Sequence, residues 1–166
     1  NPDLQNKITL LTGHIYLKQK KYEQAKACYL NIYDQYSENE ELNEALGCLF
    51  LNMGNPEGSK PYFTNILTVN PLSYQATIGL AIVYDKQKNY QSAIEYYKKA
   101  LQLKEQNWIH LKLGTLYVFL DDFHNAETLL ETYYSSDPGY DRCLFYLGYA
   151  CANLKKYGKA IELWSV

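Results

Sequence analysis

Residues 79–103, GLAIVYDKQKNYQSAIEYYKKALQL, decide the fold of this chain of 166 residues. Two runs with apolar residues at helical spacing flank the polar stretch KQKN at 86–89, which Tyr90 closes. Each run carries a small residue, Ala81 in the first and Ala93 in the second. Small side chains let two helices approach closely, whereas larger ones would splay them. The stretch therefore predicts a helical hairpin with a tight turn.

The small residues of this hairpin recur along the chain at a nearly constant interval. One series is Gly13, Gly47, Ala81, Gly114 and Gly148; the other is Ala25, Ser59, Ala93, Ala126 and Ala160. Both series are spaced 34, 34, 33 and 34 residues apart, so they share one phase and indicate a tandem repeat. We divide the chain into repeats 6–39, 40–73, 74–106, 107–140 and a truncated 141–166, and predict a single domain over residues 1–166. Positions are counted from the first residue of each repeat.

The stretch MGNPEGSKPYF at 53–63 holds two prolines and looks like a linker, but the repeat phase runs through it. It is therefore predicted to be the turn between the two helices of the second repeat. Because proline inside a helix removes a backbone hydrogen bond, we expect Ser59 to cap a shortened second helix, with Pro61 in its first turn. We also expect a soft joint at 54–62.

Composition and charge exclude several classes of function. The formal net charge is −2 and Arg142 is the single arginine, so the chain lacks the basic patch that nucleic acid requires. No apolar run approaches the length of a membrane span, and we expect no membrane insertion and a cytoplasmic location. The four cysteines (Cys28, Cys48, Cys143, Cys151) lack metal-ligand spacing. We expect reduced, partly buried thiols, with a disulfide or a metal site as the alternative.

Catalytic motifs are missing from the sequence. The three histidines (His14, His110, His124) are expected to be solvated or packing residues, and Asp121 and Asp122 to act at a helix N-terminus. Gly54 and Gly58 do not have the spacing of a phosphate-binding loop. We therefore predict that the chain is not an enzyme and carries no catalytic residue, metal or cofactor.

The repeats resemble tetratricopeptide repeats, most clearly in residues 79–103 and in LGTLYVFLDDFHNAETLLETYYSSDP at 113–138. The resemblance implies an all-α fold, a right-handed α-solenoid of antiparallel helix pairs whose first helices line a concave groove. Position 4, which usually holds tryptophan in this family, holds Thr9, Asn43, Thr77, His110 and Leu144 here. The second repeat also lacks the family's Tyr-x-x-Ala signal.

The resemblance also places partner binding at positions 2, 5, 9, 12 and 13 of each first helix. Neither the Lys/Asn clamp for a C-terminal carboxylate at positions 5 and 9 nor the asparagine ladder of the sugar-transferase superhelices at position 6 is present. The remaining groove is apolar and aromatic, which favours an apolar extended or helical segment of a partner protein or peptide. The candidate binding residues are Leu10, His14, Leu17, Ile78, Ile82, Trp108, Leu111, Thr115, Val118, Phe119, Phe145 and Tyr149. The alternative is that some of these side chains pack against second helices or against a missing neighbour.

Other functions stay open besides a non-catalytic protein-binding module. One is a scaffold or oligomerisation segment of a larger assembly; another is a regulatory segment of an enzyme encoded elsewhere in the chain. A third is a chaperone for a hydrophobic client, because residues 140–164 are similar to a segment of type III secretion translocator chaperones. Trp164 stands at position 24, where the family buries an aromatic against the next repeat. This predicts either a longer chain or a homodimer surface at the C-terminal end.

Overall fold

A computed structural model describes residues 2–165 of the chain, without the side chain of residue 2. These residues form helices joined by short turns, and no strand occurs among them, which confirms the prediction of an all-α fold. The helices are α1 (Pro2–Lys18), α2 (Tyr22–Tyr36), α3 (Glu40–Asn52), α4 (Pro56–Val69), α5 (Tyr74–Lys86), α6 (Tyr90–Leu103), α7 (Asn107–Phe119), α8 (Phe123–Tyr134), α9 (Asp141–Asn153) and α10 (Tyr157–Trp164).

The first helices begin where the repeat phase predicts. The helices α3, α5, α7 and α9 start at the first residue of repeats 40–73, 74–106, 107–140 and 141–166. Two of these starts have side-chain caps: Asn39 accepts a hydrogen bond from the Leu42 N–H at 2.8 Å, and Ser73 from the Ala76 N–H at 3.3 Å. The first repeat differs, because α1 begins at Pro2, about one turn before the predicted start at residue 6.

The helices form two compact units, one ending at Asn89 and the other beginning at Tyr90. Unit 1 contains α1 to α5, and its core cluster includes Tyr29, Ile32, Leu42 and Leu46. Unit 2 contains α6 to α10, and its core cluster includes Leu130 and Leu147. The single domain over residues 1–166 stays a prediction.

Glycine at position 8 brings the two helices of a hairpin into close contact. A Cβ added at Gly13 would lie 2.3 Å from Cε1 of Tyr29, and one added at Gly47 would lie 2.6 Å from Cζ of Phe63. The same relation joins Gly148 of α9 to the Trp164 indole of α10, at 2.3 Å from Nε1. These distances are shorter than any van der Waals contact, so the large residue at position 24 occupies the space that a side chain at position 8 would need.

A left-handed residue closes the first helix of every repeat. The residues with positive φ are Lys20, Gly54, Lys88, Asp121 and Lys155, spaced 34, 34, 33 and 34 residues apart. In each turn the residue after the positive-φ residue donates its backbone N–H to a carbonyl in the last turn of the first helix. In the first repeat this bond runs from the Lys21 N–H to the Tyr16 carbonyl at 2.9 Å. This is the bond of a Schellman cap, in which glycine is the favoured residue because it has no Cβ. Four of the five repeats therefore adopt a glycine-type turn without glycine.

We expect Lys20→Gly to raise the free energy of unfolding by about 0.5–1 kcal/mol, because glycine removes the steric cost of a Cβ at φ 59°. Gly54→Ala, the opposite change in the turn of the next repeat at φ 75°, should lower it by a similar amount. Urea unfolding of both variants checks the signs. Equal signs for the two variants would contradict the backbone explanation.

The second repeat corrects the prediction for 53–63. Ser59 does not cap α4; Asn55 does, accepting a hydrogen bond from the Gly58 N–H at 2.8 Å, and the helix begins at Pro56. Ser59 is buried and its hydroxyl donates to the Gly47 carbonyl at 2.8 Å, so it joins α4 to α3. Pro61 lies at an exposed position inside the helix, and because proline has no N–H it cannot donate the helical hydrogen bond to the carbonyl of Glu57 four residues earlier. The second helix is therefore of full length, and the soft joint at 54–62 stays a prediction.

Candidate partner-binding site

An aromatic cleft lies between the first helices of the last two repeats, in unit 2. Val118 and Phe119 come from the end of α7, and Phe145 and Tyr149 from α9. Phe119, Phe145 and Tyr149 are 47%, 57% and 42% exposed, whereas Val118 is buried beneath them. The cleft has a volume of about 400 Å³, within the range of ligand pockets. Four of the predicted site residues are therefore brought together.

Ring contacts fix the orientation of these aromatic side chains. The Phe119 ring lies 5.9 Å from that of Tyr146 in an edge-to-face arrangement, and Phe145 lies 5.2 Å from Tyr146. Phe123 at the start of α8 contacts the Tyr149 ring edge-on at 6.0 Å. Such pairs stabilise each other beyond simple burial, so the cleft offers rigid apolar surface at a low cost in side-chain entropy.

The other predicted residues of unit 2 lie away from this cleft. Trp108 at the start of α7 is 37% exposed and meets the buried Tyr97 ring edge-on at 6.1 Å. The Thr115 hydroxyl donates to the Leu111 carbonyl of its own helix at 2.8 Å. Leu111 is buried in the core cluster, so its side chain offers little surface to a partner.

Two adjoining clefts lie along the first helices of unit 1. The first lies between α1 and α3 and the second between α3 and α5, and Glu44 and Cys48 of α3 line both of them. The predicted residues His14 and Leu17 line the first cleft, and Ile78 and Ile82 line the second. The predicted residue Leu10 lines neither; it is 7% exposed and belongs to the core cluster.

Unit 1 combines apolar walls with negative charge. His14 Nε2 lies 3.5 Å from a carboxylate oxygen of Glu41. Burial raises the pKa of Glu44, and the neighbouring charges of Glu40 and Glu41 raise it further. Burial also raises the pKa of the Cys48 thiol to about 11, so this thiol stays protonated at neutral pH and is a poor nucleophile. A cationic side chain placed here would favour ionised Glu44 and relieve the repulsion among the carboxylates.

Several lining residues are outside the set of candidates chosen from the sequence. Glu41, Glu44 and Cys48 stand at positions 2, 5 and 9, which the family resemblance marks as groove positions, but the candidate set favoured apolar residues. Tyr146 stands at position 6 and Asp121 in the turn after α7, outside the marked positions. Tyr146 and Asp121 line the unit 2 cleft because adjacent repeats bring position 6 and the preceding turn together.

The structure bears on two further classes of site. Within residues 2–165, no group of three or more His, Cys, Asp or Glu side chains is arranged to hold a metal ion. None of the helices described is both long and apolar enough to cross a membrane.

The chain matches the sequence pattern of a known family over most of its length. Models described as tetratricopeptide repeat match residues 10–35, 44–107 and 111–164. The chain belongs to the tetratricopeptide repeat family.

Similar proteins agree with this assignment. Tetratricopeptide repeat protein 21B of Xenopus laevis is 27% identical over 91% of the chain. The chain spans only 13% of that protein, and between 7% and 24% of the length of the curated relatives it matches. A crystal structure of MamA superposes with a TM-score of 0.88 at 19% identity, covering 96% of this chain and 88% of MamA.

A second solved structure carries a functional description of its own. YrrB, described as a tetratricopeptide repeat protein with an unusual peptide-binding site, superposes with a TM-score of 0.81 at 17% identity, covering 93% of this chain and 80% of YrrB. These likenesses confirm the predicted class, an all-α solenoid of helix pairs.

Proposed function

We propose that the chain is a non-catalytic protein-binding module that takes an apolar segment of a partner protein on the first-helix faces of its repeats. The aromatic cleft of unit 2 carries this proposal. Three large aromatic side chains converge there and remain about half exposed, although neighbouring residues of the same helices are buried. Grouped exposed apolar side chains on a folded protein are typical of a binding site.

The two units offer different chemistry to the partner. The cleft of unit 2 fits aromatic or branched apolar side chains, which stack on Phe145 and Tyr149. The clefts of unit 1 place Glu41 and Glu44 beside the apolar walls made by Leu17 and Ile82. A segment that combines apolar residues with a lysine or arginine matches unit 1 best, because its charge compensates the two carboxylates. The peptide-binding site named for YrrB supports the class of function.

The proposal predicts that Phe145→Glu combined with Tyr149→Glu abolishes peptide binding by unit 2. A displayed library of short random peptides, selected against the chain, supplies the probe, and fluorescence anisotropy of a selected peptide measures its affinity. We expect selected peptides to be rich in aromatic and branched apolar residues, and the double variant to weaken their binding at least about tenfold. Circular dichroism should be unchanged, because both substituted side chains are exposed.

Leu72→Glu serves as the matched control, since Leu72 is among the most exposed apolar residues described and lines none of the three clefts. It should bind the selected peptide like the original chain. Selection that enriches no apolar peptide class, or equal binding by the folded double variant, would refute a binding role for the cleft.

A further inference from the structure

The first cleft of unit 1 contains a carboxylate that lacks a compensating charge. Glu44 is partly buried on α3 and lines the cleft, but it has no hydrogen-bond or ion-pair partner among the described residues. The buried Glu127 of unit 2 differs, because Lys156 and Lys159 both donate to it. Burial of a charge is costly unless a partner compensates it. The cation that the chain supplies to Glu127 is therefore missing at Glu44.

A second carboxylate stands beside Glu44. Glu41 lies three residues earlier on α3, so the two side chains are neighbours on one face of the helix. Among the described residues, the charged group nearest to Glu41 is His14, whose Nε2 lies 3.5 Å from a carboxylate oxygen. Burial raises the pKa of Glu44, and the charges of Glu40 and Glu41 raise it further. One cation placed between Glu41 and Glu44 would compensate both carboxylates.

Two buried polar atoms at the same cleft also lack partners. His14 Nε2 and the Tyr29 hydroxyl oxygen are buried and have no hydrogen-bond partner among the described residues. His14 lines the cleft, and the Tyr29 ring meets the His14 ring edge-on at 5.6 Å. Burial raises the pKa of Tyr29 to about 12, and Cys28, Cys48 and Glu41 add to the rise. Unsatisfied buried polar atoms are rare in folded proteins. Their presence here favours the first cleft over the second as the place of a missing polar partner.

The rest of the first cleft suits an aliphatic chain. Its walls include Leu17, Ala45 and the protonated thiol of Cys48, and its volume is about 320 Å³. Lysine and arginine both bury a methylene stem on apolar surface while the charged head stays at its edge.

The two carboxylates distinguish between these cationic side chains. The ammonium of lysine is a compact charge with three donors, so it fits between two separate carboxylates. The guanidinium of arginine is a planar fork that pairs with a single carboxylate, which would leave either Glu41 or Glu44 uncompensated. The arrangement therefore favours lysine over arginine.

We propose that the first cleft of unit 1 binds a lysine side chain of the partner segment, with its stem on Leu17 and Ala45 and its ammonium between Glu41 and Glu44. The inference rests on the proposed function, because it identifies one residue of the bound segment. Glu44 is then the residue that selects for positive charge. Acetylation of the bound lysine, which removes that charge, switches this contact off.

Peptide selection against a chain with a disabled unit 2 cleft tests the site by itself. The bait carries Phe145→Glu and Tyr149→Glu, so the clefts of unit 1 remain for binding. A displayed library of short random peptides, selected against this bait, should yield peptides that share a lysine among apolar residues. Fluorescence anisotropy then compares versions of one selected peptide. Acetyllysine in place of the lysine should weaken binding at least about tenfold, and arginine should also weaken it.

Glu44→Gln in the bait separates a binding role from a structural one. It should weaken binding of the lysine peptide at least about tenfold and make the lysine and acetyllysine versions bind about equally. The same change should leave the melting temperature unchanged or raise it, because burial of Glu44 disfavours the charge that glutamine lacks. Glu41→Gln is a second variant and should also weaken the lysine peptide. Glu38→Gln is the control, since this exposed carboxylate of unit 1 lines neither cleft.

Three results would overturn the lysine site. They are selection that enriches no lysine, an arginine version that binds as tightly as the lysine version, and a folded Glu44→Gln chain that still prefers lysine to acetyllysine. In each case the proposed function stands if the original chain still selects apolar peptides that need Phe145 and Tyr149. Lysine peptides that bind through Glu44, without any such apolar peptides, would instead refute the role of the unit 2 cleft alone.

Discussion

Replacing Gly47 by leucine should lower the free energy of unfolding by about 3 kcal/mol or more. The Cβ of the new side chain would lie 2.6 Å from Cζ of Phe63, a buried ring. The ring has no room to move, because it also packs closely against Gly79 of α5. A Cβ built at Gly79 would lie 2.5 Å from the same ring. Leucine favours a helix over glycine by up to about 1 kcal/mol, which is too little to offset the overlap. Urea unfolding followed by circular dichroism measures the loss.

Gly158→Leu is the matched control for this substitution. Gly158 is exposed in the first turn of α10, and a Cβ added there would meet nothing within 4 Å. The same chemical change should therefore leave the free energy of unfolding unchanged or raise it by up to about 1 kcal/mol. Losses of similar size at Gly47 and Gly158 would mean that leucine harms the chain for a reason other than the Phe63 contact.

A double-mutant cycle tests the contact itself. Phe63→Leu removes Cζ and both Cε atoms, which are the three ring atoms that a Cβ at position 47 would meet. Gly47→Ala should therefore destabilise the Phe63→Leu chain less than it destabilises the original chain. Additive effects of the two substitutions would contradict direct overlap at this site.

The starts of four first helices follow from the repeat phase because the sequence repeats the same information. The small residues at positions 8 and 20 recur in five repeats, and the starts of α3, α5, α7 and α9 follow from that phase. Within one repeat the same reasoning fails more easily. The prediction that Ser59 caps α4 assumed that Pro61 must lie in the first turn. The exposed position of the proline instead lets it stay inside the helix, and Ser59 bonds to Gly47.

The burial of individual groove positions could not be predicted from helical spacing. Position 5 holds Leu10 at 7% exposure and Leu111 at 9%, but also Phe145 at 57%. Positions 12 and 13 of α7 differ in the same way, since Val118 is buried and Phe119 is exposed. Spacing fixes the direction of a side chain only to within a sector of the helix. At the edge of the groove, burial depends on the size of side chains in the neighbouring repeat.

A buried ion pair joins the last two repeats in unit 2, and its loss is the second large effect that we expect. The Lys156 ammonium donates to Glu127 at 2.6 and 2.8 Å, and Lys159 donates to the same carboxylate at 3.0 Å and also to Glu131. Cys151 Sγ lies 3.7 Å from the Glu127 carboxylate. Glu127 is buried while both lysines remain partly exposed, so the carboxylate depends on them for compensation of its charge.

Glu127→Gln should lower the free energy of unfolding by about 2 kcal/mol at pH 7, because it removes the charge but keeps the shape. Glu162→Gln on the exposed face of α10 should change it by less than about 0.5 kcal/mol. Glu131→Gln should fall between the two, since Glu131 is half exposed and pairs with Lys159 alone among the contacts described. Chemical unfolding of the three variants measures this order. An unchanged free energy of unfolding for Glu127→Gln would contradict the proposed role of the charge.

The pH dependence of the stability deficit of Glu127→Gln distinguishes the loss of the charge from a change in packing. Burial raises the pKa of Glu127, but the hydrogen bonds from Lys156 and Lys159 lower it by more, so the pKa lies below its ordinary value. A carboxylate whose pKa is lowered by folding stabilises the fold at pH values above its pKa in the unfolded state, about 4.3. This contribution disappears as the pH falls through the lower pKa of the folded state. The deficit of Glu127→Gln should therefore be constant near neutral pH and shrink towards zero below about pH 4.

At alkaline pH the relevant group is Lys159, whose pKa is shifted in the opposite direction to that of Glu127. Burial lowers the pKa of Lys159, but its hydrogen bonds to Glu131 and Glu127 raise it by more, so the pKa lies above its usual range. Its contribution is fully present below the unfolded value of about 10.4 and disappears as the pH rises through the folded value. Stability measured from pH 3 to 11 should thus show a deficit for Glu127→Gln that grows through the acid transition and stays constant across neutral pH, with only the onset of the alkaline decrease above about pH 10.4. A deficit of equal size at pH 3 and pH 7 would assign the effect to packing of the amide instead of to the ion pair.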